Sequence, residues 1–315
     1  MSETLAELAP KSHRLPVAIL VAVVVAAPWL GYPVFFMKAL CFALFACAFN
    51  LLLGYAGLLS FGHALFFGAA SYATAHAALE WGWRPELCIL FGTAVGALLG
   101  FAVGLVAIRR QGIYFAMITL ALAQMFYFFS LRAEFTGGEN GIQGVPQGMM
   151  FGFLDLSRMY VMYYVVAAIF LLGFAILHRT VHSPFGQVLT AIRENEPRAI
   201  SLGYKTNQYK LIAFVISAGL AGLAGGTKAL VFQLASLTDV HWSTSGEVIL
   251  MTLIGGLGTT FGPIAGAVFV TALENYLAQL GSWVTVTEGA IFVVCVIAFR
   301  RGMFGELSRL LKRNL

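Results

Sequence analysis

Apolar runs of roughly helical-span length follow one another along almost the whole chain, separated by short polar joints. They fall at 16–36, 38–57, 61–79, 87–108, 112–131, 159–178, 209–233, 246–258, 262–280 and 284–300. A full bilayer crossing takes about 20 residues. The pattern therefore predicts an all-α, polytopic membrane bundle. Ten crossings are favoured, and eight plus re-entrant or broken segments are the alternative. The short run at 246–258 and the tightly joined pair 38–57 and 61–79 are the places where a break is expected.

One polar island interrupts the oil, Ser183 to Gly203. Ser183 before Pro184 is an N-cap with proline at the first helical position, and Asn195-Glu196-Pro197 repeats the signal. Gly203 can close the second helix in the left-handed conformation. Two short capped helices are expected, as a docking surface or as an ordinary loop. A second polar stretch, 132–158, is too rich in glycine to span. It is expected to contact a soluble partner, to cover the mouth of a pathway, or simply to connect.

Charge orients the bundle. Only 10% of the 315 residues are charged and mean hydropathy is +0.86, against roughly 25% charged in a soluble domain. Most of the 19 basic residues fall in four places: Lys11 and Arg14; Arg109 and Arg110; Arg179 to Lys210 around the island; and Arg300 to Arg313. The span count puts all four on one side, which the positive-inside rule makes cytoplasmic. The expected organisation is a cytoplasmic N-tail (1–15), a membrane domain (16–300) with a cytoplasmic loop at 179–208, and a cytoplasmic C-tail (301–315). The net charge of +5 is absorbed by this asymmetry, and no stretch interleaves bases with aromatics for nucleic acid. Cys41, Cys47, Cys88 and Cys295 lie in apolar runs and read as small buried hydrophobes.

Small residues recur four apart in three stripes: Gly96, Gly100, Gly104; Ala218, Gly222, Gly226; and Gly258, Gly262, Gly266. Such stripes let helix backbones approach closely, within the bundle or across a dimer face. Two Gly-rich stretches break the spans, Gly54 to His63 and Gly255 to Pro263. Interrupted segments are where transporters build substrate pathways. Asn50, His63, Gln124, Lys228, Glu247 and Glu274 are the polar residues at membrane depth. Asn50, Gly57, His63, Gln124, Gly258 and Gly262 are candidates for the pathway or its breaks. Interhelical bonding competes for Asn50 and Gln124, capping for His63 and Glu247, and snorkelling for Lys228 and Glu274.

No catalytic constellation emerges, and no cofactor is expected. Gly225-Gly226-Thr227-Lys228 lacks the order of a Walker motif, so any ATP must be hydrolysed by another chain. His178 and His182 straddle a span end without an acidic partner, and no metal site is expected.

The ordered set of stretches Asn50–Gly57 with Leu59–His63, Gly112–Leu120, Thr136–Ile142, Ala191–Glu196 with Ala199 and Leu202-Gly203, Ala213–Ala218 with Ala221–Gly225, and Ile254–Gly258 with Phe261–Pro263 resembles the membrane permeases of ABC importers for branched-chain amino acids, the larger of the two permease types. The resemblance covers most of residues 40–275. It implies a bacterial inner-membrane subunit with four kinds of neighbour: a sister permease in a heterodimer, two cytoplasmic ATP-binding subunits, a periplasmic solute-binding protein and the lipid bilayer. It also implies that the island is the ATPase-coupling element, with Arg193, Glu194, Asn195, Glu196, Ala199 and Gly203 as coupling residues. Importers of urea, amides or other small polar solutes share these features. An autonomous channel or secondary carrier remains the reading from another class.

Overall fold

A computed structural model describes residues 14–278, 284–298 and 302–303. Residues 1–13 of the expected N-tail, and the C-tail from 304 onward, lie outside the described residues.

Twelve helices carry the described chain: α1 Arg14–Leu30, α2 Pro33–Asn50, α3 His63–Leu79, α4 Pro85–Ala107, α5 Ile113–Arg132, α6 Met159–Val181, α7 Pro184–Glu194, α8 Glu196–Ser201, α9 Thr206–Phe232, α10 Trp242–Gly255, α11 Gly262–Leu277 and α12 Val284–Ala298. Among the described residues, five stretches are long and apolar enough to cross a membrane: Pro33–Ala56, Pro85–Ala107, Ile113–Arg132, Met159–Val181 and Thr206–Phe232. The others expected to cross, α1, α3, α10, α11 and α12, run for 14 to 17 residues. At 1.5 Å per residue they rise about 21–26 Å. The expected span 16–36 is in fact cut at Gly31, because Pro33 starts a new helix at its first turn. Apolarity continues through the joint and hides it.

The glycine stripes explain the centre of the bundle. α9 packs most extensively on α4, then on α3. A Cβ on Gly96 would stand 3.0 Å from the Gly222 Cα, and one on Gly100 would overlap Ala218. On the α3 side, a Cβ on Gly225 would overlap the Phe67 carbonyl. Two of the three stripes thus face each other inside one chain. The third joins α10 to α11, where a Cβ on Gly266 would overlap the Met251 carbonyl.

Strands are confined, among the described residues, to four two-residue pieces. In the 132–158 stretch, β1 (Ile142–Gln143) pairs antiparallel with β4 (Leu234–Ala235), just after α9. β2 (Met149–Met150) pairs with β3 (Leu154–Asp155). The first pair ties the polar stretch to the far end of α9, opposite the island.

Candidate functional site

The island folds as its caps dictate. The Ser183 hydroxyl accepts from Gly186 N at 3.4 Å and donates to the Thr180 carbonyl at 2.6 Å. The Asn195 side chain accepts from Arg198 N at 3.1 Å. Gly203 has φ +88° with open space where a Cβ would be. α7 is amphipathic. Leu189 and Ile192 are buried against the bundle, and Phe185 stacks on Tyr209 of α9 at 5.6 Å.

The six residues expected to couple to an ATPase divide into two sets. Glu194, Asn195 and Gly203 lie at the surface. Glu196 and Ala199 turn inward, and Arg193, exposed as a residue, reaches the bundle with its guanidinium. Ala199 is buried. Glu196 accepts from Lys210 Nζ of α9 at 2.6 Å and from Gln111 Nε2 at 2.7 Å, so it clamps α8 to α9 and to the α4–α5 joint. Lys210 is itself buried. The surface left around Glu194 carries Arg198, with Ile200 56% and Leu202 70% exposed.

Arg193 reaches furthest. After Asn50, α2 continues through a π-helical turn, Leu51–Ala56. That turn ends at Gly57, φ +71°, where a Cβ would stand 2.7 Å from Arg193 Cγ. The carbonyls in the last turn of a helix have no partner within it. One of them, Gly54 O, accepts from Arg193 Nη1. Asn50 secures the same corner from the other side: its Nδ2 donates to the Thr259 carbonyl at 2.8 Å, and its Oδ1 accepts from Gly258 N at 3.0 Å. Gly258 has φ +73°, and a Cβ there would lie 3.5 Å from the Arg193 guanidinium. Both Gly-rich breaks, some 200 positions apart in sequence, therefore meet at Arg193. Of the candidate pathway residues, Asn50, Gly57 and Gly258 belong to this corner.

The other three do not. Gly262 donates a hydrogen bond within its own turn, N to Thr259 Oγ1 at 3.1 Å, and allows α11 to approach Gly255. His63 is fully buried. Its Nε2 meets Ser217 Oγ at 2.8 Å, that hydroxyl donates to the Ala48 carbonyl, and Phe45, Phe49, Phe66 and Phe214 surround the ring. Gln124 is half-buried on α5.

Two further ion pairs, which engage residues singled out by depth, were not foreseen. Lys38 meets Glu274 at 2.9 Å, and Lys228 meets Asp239 at 2.5 Å. Lys228 and Glu274 stood out by depth, and each has an ionic partner rather than snorkelling alone. Hydropathy could not supply those partners, since Lys38 starts a span and Asp239 sits in a loop. No group of three or more His, Cys, Asp or Glu among the described residues could hold a metal.

Fold and site together define the class: an integral membrane helical bundle whose broken spans are keyed to a capped polar hairpin. A family model described as the permease component of a branched-chain amino acid transport system matches residues 34–299, and the chain belongs to that family. It is 27% identical to the high-affinity branched-chain amino acid transport system permease protein LivM of Salmonella typhimurium, across 81% of this chain and 65% of that one. It is 28% identical to the autoinducer 2 import system permease protein LsrC of an Enterobacter species, across 65% of this chain and 60% of that one. It is 25% identical to the inner membrane ABC transporter permease protein YjfF of Escherichia coli, across 69% and 66%. The chain thus spans less than two thirds of the length of the LivM relative. No solved structure matches.

Proposed function

We propose that this chain is a transmembrane permease subunit of an ATP-driven importer in a bacterial inner membrane, forming half of a pathway for branched-chain amino acids. The LivM relatives favour that solute class. The LsrC relatives keep a second reading in view, import of another small polar solute. Energy enters from two ATP-binding subunits on the island side, which is the cytoplasmic side by its basic residues. A sister permease completes the pathway, and a periplasmic protein delivers the solute.

The observation that carries this reading is the Arg193 corner. Movement of a docked ATPase on the exposed Glu194 face has two rigid routes into the bundle. Through the Glu196–Lys210 pair it pulls α9. Through Arg193 it shifts the Gly54–Gly57 break and, by way of Asn50, the α10–α11 turn. A hairpin fastened at both points moves the bundle between two arrangements without an energy source of its own.

Glu194 tests the docking. Replacing Glu194 with Arg reverses charge on the exposed face and touches neither inward contact. The expected result is a folded subunit at normal abundance whose complex loses uptake and holds its ATPase weakly. Wild-type uptake with wild-type ATPase retention in that variant sinks the assignment.

A further inference from the structure

At the end of the bundle opposite the island lies a pocket of about 390 Å³. The start of α2, the ends of α9 and α11, and the α1–α2 joint enclose it. Its walls are aromatic, with Phe35, Phe36, Phe232 and Tyr276 among them, and Lys38 projects into it beside Asn275. Lys38 is in turn paired with Glu274, the residue preceding Asn275. The size lies within the roughly 300–1,000 Å³ of small-ligand sites, which combine apolar walls with a few placed polar groups.

The charges here are unusual for their depth. An ionisable side chain in a membrane span is costly and defaults to function when it faces a cavity. The Lys38 side chain is 36% exposed and that of Glu274, which adjoins the Asn275 wall without lining the pocket itself, is 20% exposed. The Lys228–Asp239 pair, by contrast, is 12% and 6% exposed. It lies one turn further into the bundle: Lys228 Nζ sits 5.9 Å from the ring of Phe232, which is itself a wall of the pocket.

We propose that this pocket is an entry site for a free α-amino acid with an apolar side chain, the zwitterion lying across the opened Lys38–Glu274 pair. The ligand carboxylate takes Lys38 and the ligand ammonium takes Glu274. Each protein charge exchanges one opposite charge for another, so neither is left uncompensated in a medium of low dielectric. The apolar side chain rests against Phe35, Phe36 and Phe232. Aromatic faces also favour an ammonium nearby. The buried Lys228–Asp239 pair behind Phe232 offers the same two charges a step deeper. The proposal rests on the import reading and names the chemistry of its substrate at one place in the path.

The test is the exchanged variant Lys38→Glu/Glu274→Lys, expressed with its complete importer in a host lacking the native copy. An ion pair that only ties α2 to α11 is restored by the exchange. A site for a zwitterion is not, because the headgroup must turn over and drags the side chain out of the aromatic walls. The expected result is normal abundance, kcat retained and KM for leucine uptake raised at least about tenfold, the scale of a lost charge-assisted contact. A wild-type KM overturns the proposal. A second measurement stands apart from transport. A cysteine placed at Asn275 in the purified complex is expected to react more slowly with a charged maleimide when leucine is present, and unchanged when glucose is present. If the wild-type complex shows no ATP-dependent amino-acid uptake, the import reading fails, and the pocket stands on slowed labelling or falls on unchanged labelling.

Discussion

Gly57 and Arg193 are the most informative pair of residues. Gly57 needs a positive φ and leaves no room for a Cβ beside Arg193 Cγ. An alanine there meets both obstacles, each of which costs on the order of 1–3 kcal/mol. Gly57→Ala is expected to lower the thermal midpoint of the solubilised protein and reduce uptake. Adding Arg193→Ala should relieve the steric part only, so the double variant should be less destabilised than the sum of the singles. Additive losses would show that the two residues do not meet. Arg193 also shows where sequence reading stops. A charge on a polar island reads as surface. Arg193 is indeed exposed, but the reach of its guanidinium depends on the phase of α7, and its target is a backbone carbonyl, which no side-chain pattern records. Asn50 was legible as a residue that bonds across helices, but its partners are backbone groups of a turn some 200 residues away.

At the scale of elements, the caps and stripes were legible because they are local. Ser183, Asn195 and Gly203 announce two helices by chemistry within four residues of each end. Residues four apart announce a close-packed face by helical geometry alone. What lay across the face was not legible: the sequence allowed a dimer interface, and the stripes of α4 and α9 instead meet one another. Glycines within helices should therefore differ sharply in tolerance. Gly225→Ala puts a methyl group into the Phe67 carbonyl, and the folded yield should fall. Gly246→Ala, in α10 with nothing within 4 Å of its Cβ position, should keep a wild-type yield and gain something near the ~1 kcal/mol helix advantage of alanine. Equal yields, measured by size-exclusion of the detergent-solubilised variants, would contradict this packing.

For the molecule as a whole, the membrane bundle was legible from hydropathy, and its orientation is a proposal that rests on the basic residues. The ends of the spans were blurred wherever proline or glycine breaks a helix without breaking apolarity, as at Gly31. The orientation has a direct check. Cysteines at Asn140 and Gln187, both exposed, should be modified by a membrane-impermeant reagent from opposite sides of intact cells and inverted vesicles. Modification of both from one side would overturn the assigned sidedness and with it the placement of the ATPase.

The π-helical turn at Leu51–Ala56 sets the heading of everything that follows it. Such a turn is an α-helix with one residue too many, and each residue of an α-helix advances it by about 100°. The chain on the two sides of the turn's start serves different masters: Ala46 and Ala48, in the last turns of α2, offer carbonyls to Thr252 and Ser217, while Gly54 and Gly57 must face Arg193. One surplus residue lets each side keep its own heading, like a half-step added between two phrases so that both begin on the beat. Removing a single residue between Leu51 and Leu53 would leave every side chain of the corner chemically intact and point it the wrong way.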